Sequence, residues 1–221
     1  MESKLAIPSY QEGLNELRGN LTNMLPAEAL AKFDADATNL QEVHQSILQL
    51  KPGDKVTDFT LVNASGEQVN LASVLVEEKV VLTFYRGTWC PYCNLQLAQY
   101  AQVIDQIKEA GATLLAISPQ TPDESLNIQE KNELPFEVLS DVGNLVARKF
   151  TTVFRNGDVP VNTMTELGFD FDAHYSDDSR EIPVPAVFII EKDGTISFAK
   201  SVGGDYRNRV EASEILEALN A

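Results

Sequence analysis

The sequence predicts an α/β domain on a mixed central sheet flanked by helices, preceded by an N-terminal helical extension. Three observations carry this. Along residues 51–221, apolar β-branched runs alternate with amphipathic segments of helical period. The Pro-Gly pair in KPGDK, at 51–55, separates them from a stretch of helical character, residues 1–50. The Asp-Gly turn in EKDG, between AVFII and TISFAKS, marks a late hairpin.

Taken in order, residues 9–50 read as two helices. Leu14, Leu17, Leu21 and Met24 form one apolar stripe. Pro26 opens a second helix, whose stripe is Leu30, Phe33, Ala37, Leu40, Val43 and Ile47. The stripes are expected to pack on the main domain; a homodimer seam is the alternative. His44, alone in this segment, is expected to be structural. FTLVN, ASGE and QVNLASVL read as strand, turn and strand. KVVLTFY (79–85) is apolar without alternation, as in a central strand buried on both faces. LQLAQYAQVIDQIKEAG reads as one helix closed by Gly111. ATLLAIS is a second buried strand, PDESLNIQEKNEL a helix, FEVLS a short strand and GNLVARKF a short helix. Residues 151–180 look polar and irregular. The hairpin and the amphipathic helix VEASEILEALN close the chain.

With 221 residues and 43% hydrophobic content, the chain can build a core without disulfides. Its net charge of −16 argues against nucleic acid and anionic membrane surfaces as partners. The opening MESKLAIPSYQEGL lacks a basic segment followed by an apolar one, so no secretory leader is read there. Runs such as VFII are far too short to span a bilayer. The expected location is cytoplasmic, where thiols stay reduced unless they turn over.

The two cysteines of the chain, Cys90 and Cys93, stand in TFYRGTWCPYCNLQL, between a buried strand and a helix. Pro91 suits the first helical position. The free N–H groups of that first turn are expected to hold the Cys90 sulfur as a thiolate, with Cys93 one turn deeper and able to attack an oxidised Cys90. A zinc site needs four ligands, and His44 and His174 are far away in sequence. The pair therefore reads as redox chemistry needing no metal or organic cofactor. Arg86, four residues before Cys90, is placed to lower its pKa. Trp89 and Tyr92 are expected to shape an apolar mouth, and Phe84 and Tyr85 to be core. His174 in DAHYSDD and Glu181 are expected to be solvated.

WCPYC is similar to the active site of thioredoxin-fold proteins. KPGDKVTDFTLVNASGEQVNL, ISPQTPDESLNIQEKNELPFEVLSDVGNLVARKF and VPAVFIIEKDGTI resemble, in order, blocks of the alkyl hydroperoxide reductase and thiol-specific antioxidant (peroxiredoxin) family. The resemblance covers about residues 51–221 and implies a thioredoxin-like fold. It also implies a thiol peroxidase. Cys90 attacks hydrogen peroxide or an organic hydroperoxide, Cys93 resolves the product as a disulfide, and thioredoxin or a similar dithiol recycles it. Thr88 would then hydrogen-bond the sulfur or the peroxide, and Arg86 would orient the peroxide oxygen. The family's late-strand arginine has no counterpart in the neighbourhood of Pro183 and Pro185. Pro185 instead resembles the cis-proline of thioredoxins, which docks a polypeptide disulfide. Two alternatives stay open: a thiol–disulfide oxidoreductase acting on protein disulfides, and a non-enzymatic redox sensor or interaction protein.

Overall fold

The structure is a computed structural model and describes residues 7–45 and 47–221. Part of the stretch read for a leader, residues 1–6, lies outside the described residues. The elements are α1 (Tyr10–Met24), α2 (Ala27–Val43), β1 (Thr60–Asn63), β2 (Gln68–Asn70), α3 (Leu71–Glu77), β3 (Lys79–Phe84), α4 (Pro91–Gln102), α5 (Ile104–Glu109) and β4 (Ala112–Ser118). There follow α6 (Pro122–Lys131), β5 (Glu137–Ser140), α7 (Ala147–Phe150), β6 (Val153–Arg155), α8 (Asp158–Glu166), a 3-10 turn (Asp172–His174), β7 (Glu181–Pro183), β8 (Ala186–Ile190), β9 (Ile196–Lys200) and α9 (Ala212–Leu219).

Strand β3 is central because every residue from Val80 to Phe84 is buried. It pairs parallel with β4 and antiparallel with β8. Among the described residues seven strands form one sheet, in the order β2-β1-β5-β4-β3-β8-β9. Both faces are covered, which is why β3 shows no alternation in sequence. Val80, Leu82 and Phe84 point to a core with Leu71 and Leu75 of α3 and Phe150 of α7. Val81 points to the opposite core, with Leu97 of α4, Ile107 of α5 and Ile215 of α9. Residues β6 and β7 make a separate two-stranded ribbon.

Four local readings are corrected. QVNLASVL is not one strand: Asn70 ends β2 and its side chain accepts the Ser73 N–H at 2.9 Å, capping α3. The helix after the cysteines breaks at Val103, which leaves the helical region at ψ 11°. Residues 151–180 are ordered, because Val161, Met164, Phe171 and Ile182 share one buried face beneath a polar exterior. The extension stops being helical at Val43; Leu48 bridges to Thr151 instead.

The extension packs on its own chain. Tyr10, Leu14, Ala37 and Leu40 enter the core of α4 and α9. Met24 and Val43 face solvent, one step off the packed stripe. Opposite α2 lies the loop 203–211. A Cβ on Gly204 would collide with the Leu40 carbonyl oxygen, so glycine alone lets the loop approach the helix backbone. The Tyr206 hydroxyl donates to the Phe33 carbonyl at 2.7 Å, and Glu211 accepts the Tyr10 N–H at 2.6 Å at the start of α1. No helix of the described residues is long and apolar enough to cross a membrane.

Gly204→Ala is expected to destabilise the fold by about 1–3 kcal/mol, since backbone must move to admit the methyl group. Gly19→Ala, in α1 with open space around it, is expected to stabilise by about 0.5–1 kcal/mol. Denaturant midpoints of the two variants check both signs.

Candidate active site

Strand β3 delivers Tyr85 and Arg86 to the edge of the core, and the chain turns through Gly87–Trp89 into α4. Cys90 is the N-cap of that helix and Pro91 its first residue. The Cys90 carbonyl accepts the N–H groups of Cys93 and Asn94 at 3.0 and 3.1 Å. The Cys90 side chain makes no capping bond. The expected cradle of helix N–H groups around its sulfur is therefore absent, and the Cys93 N–H goes to the Cys90 carbonyl instead.

The charge comes from arginine. Arg209 donates from Nη2 to Cys93 Sγ at 3.1 Å and to Cys90 Sγ at 3.8 Å. Its Nη1 is fixed by the carbonyls of Tyr206 and Asn208. Arg86 is also buried, lying 3.9 Å over the Tyr206 ring and 4.8 Å from the Trp89 ring, with Nη2 3.5 Å from Asn156 Oδ1. Among the described residues no carboxylate forms an ion pair with either guanidinium. Arg209, a buried cation without a carboxylate partner, has the two sulfurs in reach, and Asp36 feels the charge of Arg86. Burial pushes the Cys93 thiol up, but a hydrogen bond from Cys90 and the charges of Arg209 and Arg86 outweigh it and hold Cys93 at about 5. Burial, then the hydrogen bond to Cys93 and the Cys93 charge, push Cys90 well up. The two thiols therefore titrate as a coupled pair.

Both sulfurs are reduced and almost fully covered. Cys90 faces a cavity of about 650 Å³ and Cys93 does not. Leu21 of α1, Leu25 just after it and Phe33 of α2 form one wall, Met164, Leu167 and Phe169 another. Trp89 stands between them. Its Nε1 donates to Tyr175 Oη at 2.8 Å, which donates to the Arg86 carbonyl at 3.0 Å.

Several expected roles change. The Thr88 hydroxyl donates to Glu124 Oε2 and accepts from Gln120 Nε2, each at 3.2 Å, so it serves that network rather than the sulfur. His174 is not a solvated histidine. Its Nδ1 lies 2.8 Å from Glu124 Oε2, its ring stacks 4.7 Å from Phe169, and it lines the cavity. Glu181 is paired with Arg148 rather than solvated. Pro185 is not a cis-proline: no cis peptide bond occurs among the described residues. Its carbonyl accepts the Ser201 hydroxyl at 2.8 Å, and it does not line the cavity. His44 packs 5.1 Å from Phe154, as a structural residue would. Sequence reasoning missed Arg209. Its only signal was an arginine beside the apolar start of the last helix, in DYRNRVEASE, in a strongly acidic chain.

A profile of the AhpC/TSA family matches residues 52–199. The chain belongs to that family. Peroxiredoxin Bcp of Escherichia coli K12 is 35% identical over 101 residues, which are 46% of this chain and 64% of that protein. A putative peroxiredoxin of Mycobacterium tuberculosis is 32% identical over 93 residues, 42% of this chain and 59% of the relative. The chain thus spans less than two thirds of the length of these relatives. The peroxidoxin BcpB structure of M. tuberculosis superposes with a TM-score of 0.60 at 22% identity, covering 77% of this chain and 97% of its own. A peroxiredoxin-like protein from Aquifex aeolicus gives 0.61 at 16% identity, over 77% and 86%. These neighbours establish the thioredoxin-like architecture. Helices α1 and α2, and Arg209, all lie outside the family match.

Arg209→Met is expected to raise the lower thiol pKa of the AhpC/TSA dithiol by at least about one unit, equivalent to ~1.4 kcal/mol. Arg86→Met is expected to shift it less, since Arg86 makes no side-chain bond to either sulfur. Thiolate absorbance titrations of both variants measure the order.

Proposed function

We propose that the protein is a thiol peroxidase that uses Cys90 as its nucleophile and Cys93 as its resolving thiol. The observation that carries this is the thiol pair held against two buried guanidiniums, with Cys90 at the floor of a cavity. The Cys90 thiolate attacks the terminal peroxide oxygen and becomes a sulfenic acid, releasing the alcohol or water. Cys93 displaces that oxygen and forms the Cys90–Cys93 disulfide. Thioredoxin or a similar dithiol returns the pair to thiols by exchange, in a reducing compartment such as the cytoplasm. Both sulfurs, both guanidiniums and the cavity walls come from one chain, so a homodimer is not needed to complete the site.

The cavity favours an organic hydroperoxide. At about 650 Å³ it is far larger than hydrogen peroxide requires, given that one water takes roughly 30 Å³. Its walls offer an apolar body somewhere to lie. Cys90 is 1% exposed, so any protein partner, a disulfide substrate or the recycling dithiol, meets the same cover. A peroxide reaches Cys90 through the cavity, whereas a protein dithiol needs α1 and α2 to give way.

Stopped-flow oxidation of the reduced protein, followed by Trp89 fluorescence, tests the reading. Cys90→Ser is expected to abolish the signal. Leu21→Asn, which makes one wall polar, is expected to slow oxidation by cumene hydroperoxide about tenfold, the scale on which apolar pockets discriminate. Its rate with hydrogen peroxide is expected to hold. A parent protein no faster than a free thiol would overturn the function.

A further inference from the structure

Besides the thiols, the cavity holds an imidazole paired with a carboxylate. His174 Nδ1 lies 2.8 Å from Glu124 Oε2, and both residues line the cavity together with Cys90. The imidazole stacks on Phe169 with 5° between the ring planes, which fixes its tilt. Among the described residues its Nε2 has no hydrogen-bond partner. The segment of His174 is also tied to the turn that presents Cys90. The Arg86 carbonyl accepts the Tyr175 hydroxyl at 3.0 Å. The Thr88 hydroxyl donates to the same Glu124 Oε2 at 3.2 Å. Trp89 packs on Phe171 and donates to Tyr175. These ties hold the imidazole against the turn from which Cys90 enters the cavity.

We infer that His174 is the general acid of peroxide reduction: its Nε2–H protonates the oxygen that leaves when Cys90 attacks, and Glu124 positions the ring. This rests on the peroxidase reading above. With Nδ1 turned to a carboxylate, a protonated ring presents its other N–H at Nε2. Cys90 attacks as the thiolate while Cys93 waits as the thiol. The Cys90 sulfur forms an S–O bond with the terminal oxygen of ROOH as the O–O bond breaks. The departing RO⁻ takes the Nε2 proton and leaves as ROH. Cys93 then attacks the Cys90 sulfenic sulfur, forming S–S, and the hydroxyl leaves with the Cys93 proton as water. His174 regains a proton from solvent. One thiolate, one thiol, one hydroperoxide and one proton become one disulfide, one alcohol and one water. The two electrons lost by the sulfurs are those gained by the peroxide.

The step calls for an acid, because an alkoxide is a poor leaving group: its conjugate acid is about as weak as water, with a pKa of about 16. The other groups lining the cavity are badly suited. Arg86 stays a guanidinium. Lys131 stands two turns further along α6 than Glu124, about 10 Å away. Tyr206 donates its hydroxyl to the Phe33 carbonyl, and burial raises Tyr92, which makes it a weaker acid. Imidazole is the side chain that gives up and regains protons in the neutral range.

The test follows disulfide formation in single turnovers with cumene hydroperoxide and with peracetic acid. Both offer a terminal oxygen to Cys90, but peracetic acid expels acetate, which leaves without a proton. His174→Asn keeps a donor for Glu124 where Nδ1 stands and removes Nε2. It is expected to shift the ratio of the two rates about a hundredfold against cumene hydroperoxide, within the range of general acid catalysis. Glu124→Gln is expected to shift the ratio in the same sense, by less. In the parent, D2O is expected to slow the cumene hydroperoxide reaction more than the peracetic acid one, a comparison that needs no variant to fold. An unchanged ratio in His174→Asn would overturn the inference, since damage to the fold slows both oxidants alike. Equal solvent effects on the two oxidants in the parent would overturn it as well. A parent that neither oxidant attacks faster than it attacks a free thiol would instead sink the peroxidase reading itself.

Discussion

A guanidinium buried without a carboxylate is the constraint around which this site is organised. Stripping an ion of water costs several kcal/mol unless another charge and fixed hydrogen bonds replace the solvent. Arg209 meets that cost with two backbone carbonyls and two sulfurs. The arrangement works in both directions. The cation keeps a proton off the thiols, and the thiolate makes the buried cation tolerable. Arg86 adds a second positive charge, spread over the faces of Tyr206 and Trp89, without a side-chain bond to the sulfurs.

Arg209 sits in a loop, and a loop holds a charge to a fraction of an ångström only if it is itself fixed. That task falls to α1 and α2. Gly204 lies against the Leu40 carbonyl, Tyr206 bonds the Phe33 carbonyl, and Glu211 caps α1. Asp34 of α2 is shared between Arg18 of α1 and Arg207 of the loop, and the Arg18 hydrogen bond holds its carboxyl below the usual range. The extension, outside the family match, is therefore part of the site twice over. It steadies the loop that carries the charge, and it forms one wall of the cavity that meets Cys90.

Another wall comes from the segment after β6. Phe171 packs 5.1 Å from Trp89, Tyr175 bonds the Trp89 indole, and His174 joins Glu124. A network from Gln120 through Thr88 and Glu124 to His174 fixes the turn before Cys90. Access and reactivity are thereby separated. The cavity is lined by the extension and the segment after β6, and the dithiol stands at the junction of β3 and α4.

What the sequence determined by itself is whatever depends on neighbours along the chain. The buried strand KVVLTFY, the strand–Cys-x-x-Cys–helix junction with Pro91 at N1, and the late Asp-Gly hairpin are local, and the architecture followed from them. Arg86 was legible because it stands four residues from Cys90. Asn70 as a cap and the buried face of 158–171 went unread, since one polar residue or a polar exterior hides a short element. Arg209 lies 116 residues from the sulfur it bonds, and His174 lies 50 from Glu124. Only the folded chain brings such pairs together, and only desolvation turns their proximity into a pKa. That is why the pattern named both thiols, while only the tertiary structure brought a guanidinium to them.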